Sequence, residues 1–127
     1  MARQRAVHFR NRSPYGWWVF CELQQWVPAK PRTAKRFPVW ENMRLIRARD
    51  REQAYRKAVR LAKIGMPSKT KGGAWRFVGI SLLLPVHEHL DDGAEILWTD
   101  HGSIGAEKLK RLIKRKAELP VFDDRDG

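Results

Sequence analysis

The chain has 127 residues and a formal net charge of +12, with 26 Lys and Arg against 14 Asp and Glu. This length fits one domain of ordinary size, and 43% hydrophobic residues with six Trp exclude a disordered chain. No window approaches the roughly 18 apolar residues that span a membrane. Residues 1–12 carry four Arg without the apolar stretch of a signal peptide. The single cysteine, Cys21, excludes an intramolecular disulfide and predicts a cytoplasmic location.

Positive charge is distributed unevenly along the chain. Basic residues gather in the N-terminal arm and in residues 30–36, 44–63 and 108–116, whereas residues 118–127 hold four acidic residues and one Arg. A strongly basic surface attracts polyanions and acidic partners, and it also keeps an ordinary domain soluble. The charge therefore allows a nucleic-acid partner without requiring one.

Residues 1–15 are predicted to form a basic arm that ends in a turn at 13–16. The segment 17–27 is rich in aromatic and β-branched residues, which predicts a strand. Since side chains alternate between the faces of a strand, we expect the larger apolar set to face the core: Trp17, Val19, Cys21, Leu23 and Val27. The other face then carries Trp18, Phe20 and Trp26, so this strand needs cover on both sides or a partner.

A second strand, Val39–Ala48, follows a proline-rich loop. A helix is predicted over 51–64, because Asp50 stands three residues before Gln53 as in a capping box. The expected apolar stripe of this helix is Ala54, Ala58, Leu61 and Ala62. Gly65 is expected to end the helix.

The second half of the chain is also predicted to form two strands followed by a helix. Ala74–Val86 is a continuous apolar run, which predicts a central strand, and a turn signal at 90–93 separates it from a fourth strand, Ala94–Thr99. A last helix is predicted over Ile104–Ala117, with these residues facing inward: Ala106, Leu109, Leu112 and Ile113.

The order β-β-α-β-β-α predicts an α+β fold, a mostly antiparallel sheet with helices packed mainly on one face. The second face of the sheet is either solvated or a binding surface. We expect a single domain over residues 16–119, between the basic N-terminal arm 1–15 and an acidic C-terminal tail 120–127.

Short motifs occur along the chain in a characteristic order and spacing. They are Trp17-Trp18, Trp40-Glu41, ARDREQAYRKA at 48–58, FVGI at 77–80 and LDDGAEI at 90–96. In this order the chain resembles a family of small bacterial proteins, domain of unknown function 4288, over roughly residues 16–100. The resemblance implies a compact α+β domain, and it implies no established activity and no catalytic residues.

The strongest candidate for site chemistry is a histidine-rich segment. His87 and His89 are followed by Asp91 and Asp92, and hairpin pairing would bring His101 towards them. Imidazole and carboxylate ligands suit zinc. Spacing alone rarely makes a metal site, so we favour solvated histidines in a polar turn and assign no metal and no cofactor.

The sequence carries no recognisable catalytic pattern. No serine has a Gly-x-Ser-x-Gly setting, and phosphate-binding glycine loops are absent. Cys21 lies mid-strand, where an inert core thiol is expected. Glu41 and Glu95 flank strands and serve equally well as a carboxylate pair or as rim charges. We therefore predict a protein that is not an enzyme.

Aromatic residues that alternate with polar ones give the better signal for binding. Trp18 and Trp26, with Arg44 and Arg47 on the neighbouring strand, would let bases stack while phosphates meet guanidinium groups. Alternatively the arm, the last helix or a second copy covers these rings. The candidate surface comprises Trp18, Trp26, Arg44, Arg47, Arg56, Arg60, Lys110, Arg111, Lys114 and Arg115.

Our leading hypothesis is a non-catalytic binding or regulatory module that engages an acidic protein or a second copy of itself. The alternative is a nonspecific nucleic-acid-binding protein that uses its basic helices and arm. The sequence gives no sign of a small-molecule substrate, and a membrane-surface role for residues 108–116 is disfavoured because their apolar face is small.

Overall fold

The computed structural model describes residues 7–30, 36–64 and 69–125, and it shows an α+β fold. Its elements, in chain order, are β1 (Trp17–Pro28), β2 (Val39–Arg47), α1 (Arg51–Ile64), β3 (Lys69–Thr70), β4 (Gly73–Pro85) and α2 (Ala106–Leu112). Single 3-10 turns lie at Phe9–Asn11, Lys116–Glu118 and Pro120–Phe122.

The four strands form one antiparallel sheet in the order β2-β1-β4-β3. β1 pairs with β2 without irregularity, from Trp17 opposite Arg47 to Gln25 opposite Val39, and pairs with β4 on its other side. The two residues of β3 pair with the first two residues of β4. Among the described residues β1 is therefore the central strand. Most of β4 is an edge strand, because β3 pairs with only its first two residues, whereas the sequence predicted a central strand there.

Two β-bulges decide which β4 side chains face α1. The β1–β4 register shifts twice, and each shift leaves one extra residue on β4, namely Ser81 and Val78. Phe77, Ile80 and Leu83 consequently share one face although they are three residues apart, and all three pack against the core. Strict alternation would have put Ile80 on the opposite face from the other two.

The core lies between α1 and one face of β1. Trp18 is 2% exposed and Phe20 is fully buried, and both belong to one cluster with Ala54, Ala58 and Ala62. Alanine side chains let the helix approach the sheet closely, and burial of each large ring contributes about 1.5–3 kcal/mol. The predicted alanine stripe is confirmed.

The predicted core side of β1 is wrong, because α1 packs on the opposite face. We name the face under α1 the helix face and the other the open face. On the open face Val19 and Cys21 are buried, whereas Val27 is exposed. Counting apolar residues along β1 could not reveal which face would receive the helix.

A buried polar row continues the helix face of β1 beyond Phe20. Gln24 donates from Nε2 to Glu22 Oε2 at 2.5 Å and to the Ala62 carbonyl at 3.4 Å, and both side chains are fully buried. Arg44 Nε lies 2.5 Å from Glu22 Oε1. This ion pair is not aligned as a hydrogen bond, so Oε1 has no hydrogen-bond donor among the described residues. The row connects β1 to β2 and to α1.

Asp50 caps the N-terminus of α1, as predicted. Its Oδ1 accepts a hydrogen bond from the Gln53 amide at 2.8 Å, and Gln53 Oε1 accepts one from the Arg49 amide at 2.7 Å. The hydrogen bond from Gln53 lowers the pKa of Asp50 below its ordinary value, and the Arg49 charge acts in the same direction. The carboxylate therefore stays ionised, which favours it as a cap at the positive end of the helix dipole.

The predicted fourth strand, Ala94–Thr99, does not form in the described structure, since this segment has no regular secondary structure. Its first residues make local bonds instead: the Ala94 amide donates to the Asp91 carbonyl, and the Glu95 amide donates to Glu88 Oε2. Such local bonds compete with strand pairing.

The last predicted helix, Ile104–Ala117, is reduced to the seven residues of α2 and a separate 3-10 turn. Every residue of α2 is exposed, including Leu109 and Leu112. The expectation that this helix packs inward is therefore wrong. The apolar periodicity of the sequence creates an apolar side of the helix, but it does not determine whether another element packs against that side. α1 is the helix that covers the sheet.

The described part of the arm contacts the end of β4, and the described part of the tail makes a local contact. Ser13 Oγ donates to the Val86 carbonyl at 3.0 Å, which holds the described part of the arm against the end of β4. In the tail, Arg125 pairs with Asp123 at 2.8 Å. Residues 1–6 of the arm, residues 31–35 of the basic loop, the predicted helix end at Gly65 and the last two residues lie outside the described structure.

Replacement of Arg44 by Ala should destabilise the fold by about 2–4 kcal/mol, because it leaves the buried Glu22 carboxylate without its cation; Arg44 is partly exposed, so the loss falls at the low end for a buried pair. Urea unfolding followed by circular dichroism measures the change. The double variant E22Q/R44A should recover part of the loss. If it is as unstable as the sum of the single variants, the two residues are not coupled.

Candidate functional site

A basic groove lies at the edge of the sheet, where α1 runs beside β2. Its described lining residues are Arg47, Gln53, Arg56, Lys57 and Arg60, and its volume is about 440 Å³. Four of these five residues are cationic, and none is a carboxylate. All four cationic residues are exposed or half-buried.

Helical periodicity produces this alignment. Gln53, Lys57 and Arg60 lie on one side of α1 at positions i, i+4 and i+7, and Arg56 is four residues before Arg60. Lys57 donates from Nζ to the Arg47 carbonyl at 2.9 Å, which fixes this side of the helix to the edge of β2. The basic groove therefore depends on the same packing as the core.

Few acidic side chains balance the charge near the groove. The strands β1, β2 and β4 and the helix α1 contain three acidic residues: Glu22, Glu41 and Glu52. Glu22 is buried against Arg44, and Glu41 lies on the open face, where Ser81 Oγ donates to it at 2.8 Å. Glu52 lies in the first turn of α1. The pKa of the Asp50 cap is lowered by its hydrogen bond from Gln53 and also by the charge of Arg56, which lies close enough to act on it. The later turns of α1 therefore present only positive charge.

The structure separates the four residues predicted at the centre of the binding surface. Trp18 belongs to the core, where its indole Nε1 donates to the Ala48 carbonyl at 3.0 Å, so the prediction that it is an exposed binding residue is wrong. Arg44 forms an ion pair with the buried Glu22. Arg47 lies over the Trp17 ring at 5.2 Å, on the open face. Trp26 is half-buried on the helix face.

The predicted cations near the C-terminus are all exposed, and they form local contacts. Lys110 Nζ lies 3.9 Å from Glu107 Oε1, and Arg115 Nε lies 2.6 Å from Glu118 Oε1. Lys114 donates to the Arg111 carbonyl at 3.3 Å. Two of these four side chains are thus already paired with a carboxylate, whereas the groove cations form no ion pair with another residue that the structure describes.

Three tryptophans form a cluster on the helix face at the end where α1 stops. The ring centroids of Trp40 and Trp75 lie 4.6 Å apart, and Trp26 contacts Trp75 edge-on at 5.5 Å. Trp40 stands opposite Gln24, whose side chain reaches Ala62 in the last turn of α1. Trp40 is 54% exposed. We name these three residues the tryptophan cluster.

Trp40 and Trp75 are absent from the predicted surface. Their common face follows from the sheet register, in which Gln24 is opposite Trp40 and Trp26 is opposite Trp75. This register cannot be read from the sequence of any one strand. The signal that points to it is the even spacing of Gln24 and Trp26 on β1, once β1 is known to be central.

The histidine-rich segment does not assemble a metal site in the described structure. His89 stacks on Tyr15 with centroids 3.5 Å apart, whereas His87 Nε2 lies 3.3 Å from the Arg10 carbonyl and its ring contacts Trp98. Within residues 7–30, 36–64 and 69–125, no three His, Cys, Asp or Glu side chains are grouped to hold a metal ion.

Cys21 has the surroundings of a core thiol. It is 4% exposed, and burial raises the pKa of the thiol, with the nearby Glu41 carboxylate adding to the effect. A raised pKa keeps the thiol protonated and a poor nucleophile. This agrees with the inert role expected for it.

Comparison with known proteins identifies the family. The model of the family described as Domain of unknown function (DUF4288) matches residues 17–98, which is more than half of the chain. The chain belongs to this family. The match begins at β1, spans the basic groove and the tryptophan cluster, and ends at Trp98, so the DUF4288 region contains both features. No curated protein and no solved structure matches the chain.

In the part of the chain that the structure describes, no helix has the length and apolar character needed to cross a membrane.

Substitution of Trp18 by Phe should destabilise the protein by about 2–4 kcal/mol, because the ring loses volume and leaves the Ala48 carbonyl without its donor. Trp40→Phe, at an exposed position, should change the stability by less than about 0.5 kcal/mol. Thermal and urea unfolding of both variants measure the contrast. Equal losses would mean that Trp18 is not a core residue.

Proposed function

We propose that this DUF4288 protein is a non-catalytic binding module that holds a polyanionic partner in its basic groove. The observation that supports the proposal is the row of Arg56, Lys57 and Arg60 along α1, in a groove whose described lining contains no carboxylate. An excess of positive charge in a concave site focuses the field on an approaching anion. Guanidinium groups add bidentate hydrogen bonds to phosphate or carboxylate.

The chemistry of the groove supports binding without catalysis. Its side chains are cations and one amide, Gln53, and these groups orient and neutralise an anion. The described lining contains no hydroxyl, thiol, imidazole or carboxylate that would serve as nucleophile or general base. We place the module in the cytoplasm, where a free thiol such as Cys21 stays reduced.

An acidic protein and a nucleic acid both satisfy the charge of the groove. The exposed cations at 110–115 add long-range attraction to either partner. We expect the groove to be the main binding site, because Lys57 is bonded to β2, whereas two of the cations near α2 are already paired with carboxylates.

Neutralising the groove should weaken binding more than neutralising the C-terminal segment. We expect R56Q/R60Q to bind a fluorescent oligothymidylate dodecamer roughly 10- to 30-fold more weakly near 0.1 M salt, and to lower its salt slope by about 1.4. Fluorescence anisotropy titrations at several salt concentrations measure both quantities. A dodecamer of glutamate serves as the acidic-peptide probe in the same assay.

The matched control is R111Q/R115Q, which removes two arginines with the same spacing in sequence and the same total charge. We expect it to cause a smaller loss with every probe that binds. Equal losses in the two double variants would show that total charge, and not the groove, determines affinity. Absence of binding to both probes at low salt would also reject the proposed function.

Self-association is a second candidate function, and the open face favours it. Met43 is 56% exposed and Leu45 is 44% exposed, and both stand beside the buried Cys21 and Val19 of β1. Val39 is also exposed on this face of β2, although the Glu41 carboxylate separates it from Met43. Neighbouring exposed apolar side chains such as Met43 and Leu45 are typical of an interface.

Lysine substitutions at Met43 and Leu45 should convert a dimer into a monomer, because a sheet-to-sheet interface would have to bury the new charges. Sedimentation velocity at high protein concentration measures the state of association. Tyr55→Lys, at an exposed position of α1, is the control and should leave a dimer intact. A wild-type chain that sediments as a monomer throughout rejects this candidate.

A further inference from the structure

We infer that the polyanion held by the basic groove is a single-stranded nucleic acid, one base of which stacks on the tryptophan cluster at Trp40. This inference rests on the proposed function and adds the partner class. It joins two features that lie on the same side of the molecule: the cations of α1 and the exposed aromatic ring beside the end of α1.

The direction of α1 relates the two features. The helix begins beside the end of β2, where Lys57 bonds to the Arg47 carbonyl, and its last turn reaches Gln24, which stands opposite Trp40. The helix therefore runs antiparallel to β2, and its cations progress from the groove towards the tryptophan cluster. A flexible strand that follows Arg56 and Arg60 arrives at Trp40.

The charge along this path is of one sign. Arg56, Lys57, Arg60 and Lys63 follow one another along α1 without an acidic residue between them. The buried Glu22 is neutralised by Arg44, and Glu41 faces the other side of the sheet. A polyphosphate backbone is complementary to such a row over its whole length.

The aromatic ring separates a nucleic acid from an acidic peptide. Trp40 is 54% exposed, and its contact with Trp75 holds the ring on the sheet at 4.6 Å between centroids. Phe37, on the segment that leads into β2, is 51% exposed close by in sequence. A ring that is supported on one side and open on the other is a platform for a base. Acidic side chains have no flat apolar surface to place on it.

The same ring favours a single strand over a duplex. Bases within a duplex are stacked on their neighbours and present only their edges, so they cannot lie flat on a tryptophan. A single strand turns its bases outward at small cost and pairs aromatic stacking with phosphate contacts. Stacking is tolerant of base identity, so we expect little sequence preference.

The experiment compares W40A with W98A by fluorescence anisotropy. Trp98 is also exposed, but it lies against His87 outside the helix face. The probes are an oligothymidylate dodecamer, an abasic oligodeoxynucleotide of the same length, a duplex and a glutamate dodecamer. We expect W40A to bind oligothymidylate roughly 5- to 100-fold more weakly and to bind the abasic strand as the wild type does. W98A should match the wild type with both strands.

Several outcomes would overturn the inference while the proposed function survives. They are equal loss of oligothymidylate and abasic binding in W40A, no loss at all, a duplex bound as tightly as the single strand, and a glutamate dodecamer bound more tightly than either. In each case R56Q/R60Q still reports on the groove itself. If no probe binds, or if R56Q/R60Q binds as the wild type does, the proposed function fails as well.

Two further measurements keep the test valid if W40A folds poorly. Tryptophan fluorescence of the wild type should be quenched by oligothymidylate and not by the abasic strand, because a stacked base quenches the indole directly. The variant W40F keeps an aromatic ring and should retain most of the affinity for oligothymidylate. Lack of base-dependent quenching, or a W40F affinity as low as that of W40A, contradicts stacking at this position.

Discussion

The close approach of α1 to the central strand is the constraint on which the rest of the structure depends. Ala54, Ala58 and Ala62 present almost no side chain towards the sheet, so the helix lies directly on Trp18 and Phe20. Larger residues would lift the helix and open voids that cost stability. Because α1 packs in this way, Lys57 donates to the backbone of β2 and Gln24 donates to the Ala62 carbonyl. The basic groove depends on this packing, and so does the position of the end of α1 beside the tryptophan cluster.

The buried polar row gives this packing its specificity. Glu22 sits in the apolar layer at an energetic cost, which Arg44 and Gln24 offset by a charge pair and a hydrogen bond. A helix shifted by one turn would lose the bond between Gln24 and Ala62. One arginine that sequence reasoning assigned to binding is thus used inside the fold, and the cations left for a partner are those of α1 and the C-terminal segment.

The two faces of the sheet have different chemistry, and this difference separates the candidate functions. The helix face and the helix that covers it combine exposed cations such as Arg56 and Arg60 with supported aromatic rings, which suits a flexible polyanion that carries flat bases. The open face combines Met43, Leu45 and Val39 on β2, which suits an apolar partner such as a second copy. The two proposed functions use different residues, so variants on one face leave the other available for measurement.

Much of the fold was determined by sequence alone. The bounds of β1, β2 and α1, the Asp50 cap and the alanine stripe are local patterns, because each depends on residues within one helix or one strand. The family was identified from the order and spacing of short motifs along the chain. The aromatic content of β1 also pointed to a binding role for tryptophan, although it singled out Trp18, which belongs to the core. The basic residues Arg56 and Arg60 were identified because their charge is visible without a structure.

Tertiary structure alone decided which face of β1 is covered, which tryptophans meet, and how far the C-terminal half folds. The two bulges of β4 place Phe77, Ile80 and Leu83 on one face, and no alternation rule yields that spacing. Trp40 and Trp75 meet because β2 and β4 flank the same central strand, which is a long-range relation of strand order. A local pattern indicates which secondary structure a segment can form. Which other segment it then packs or pairs with depends on the alternatives that all other segments offer. For residues 94–99 the local bonds prevailed over strand pairing, and α2 obtained no partner in the described structure.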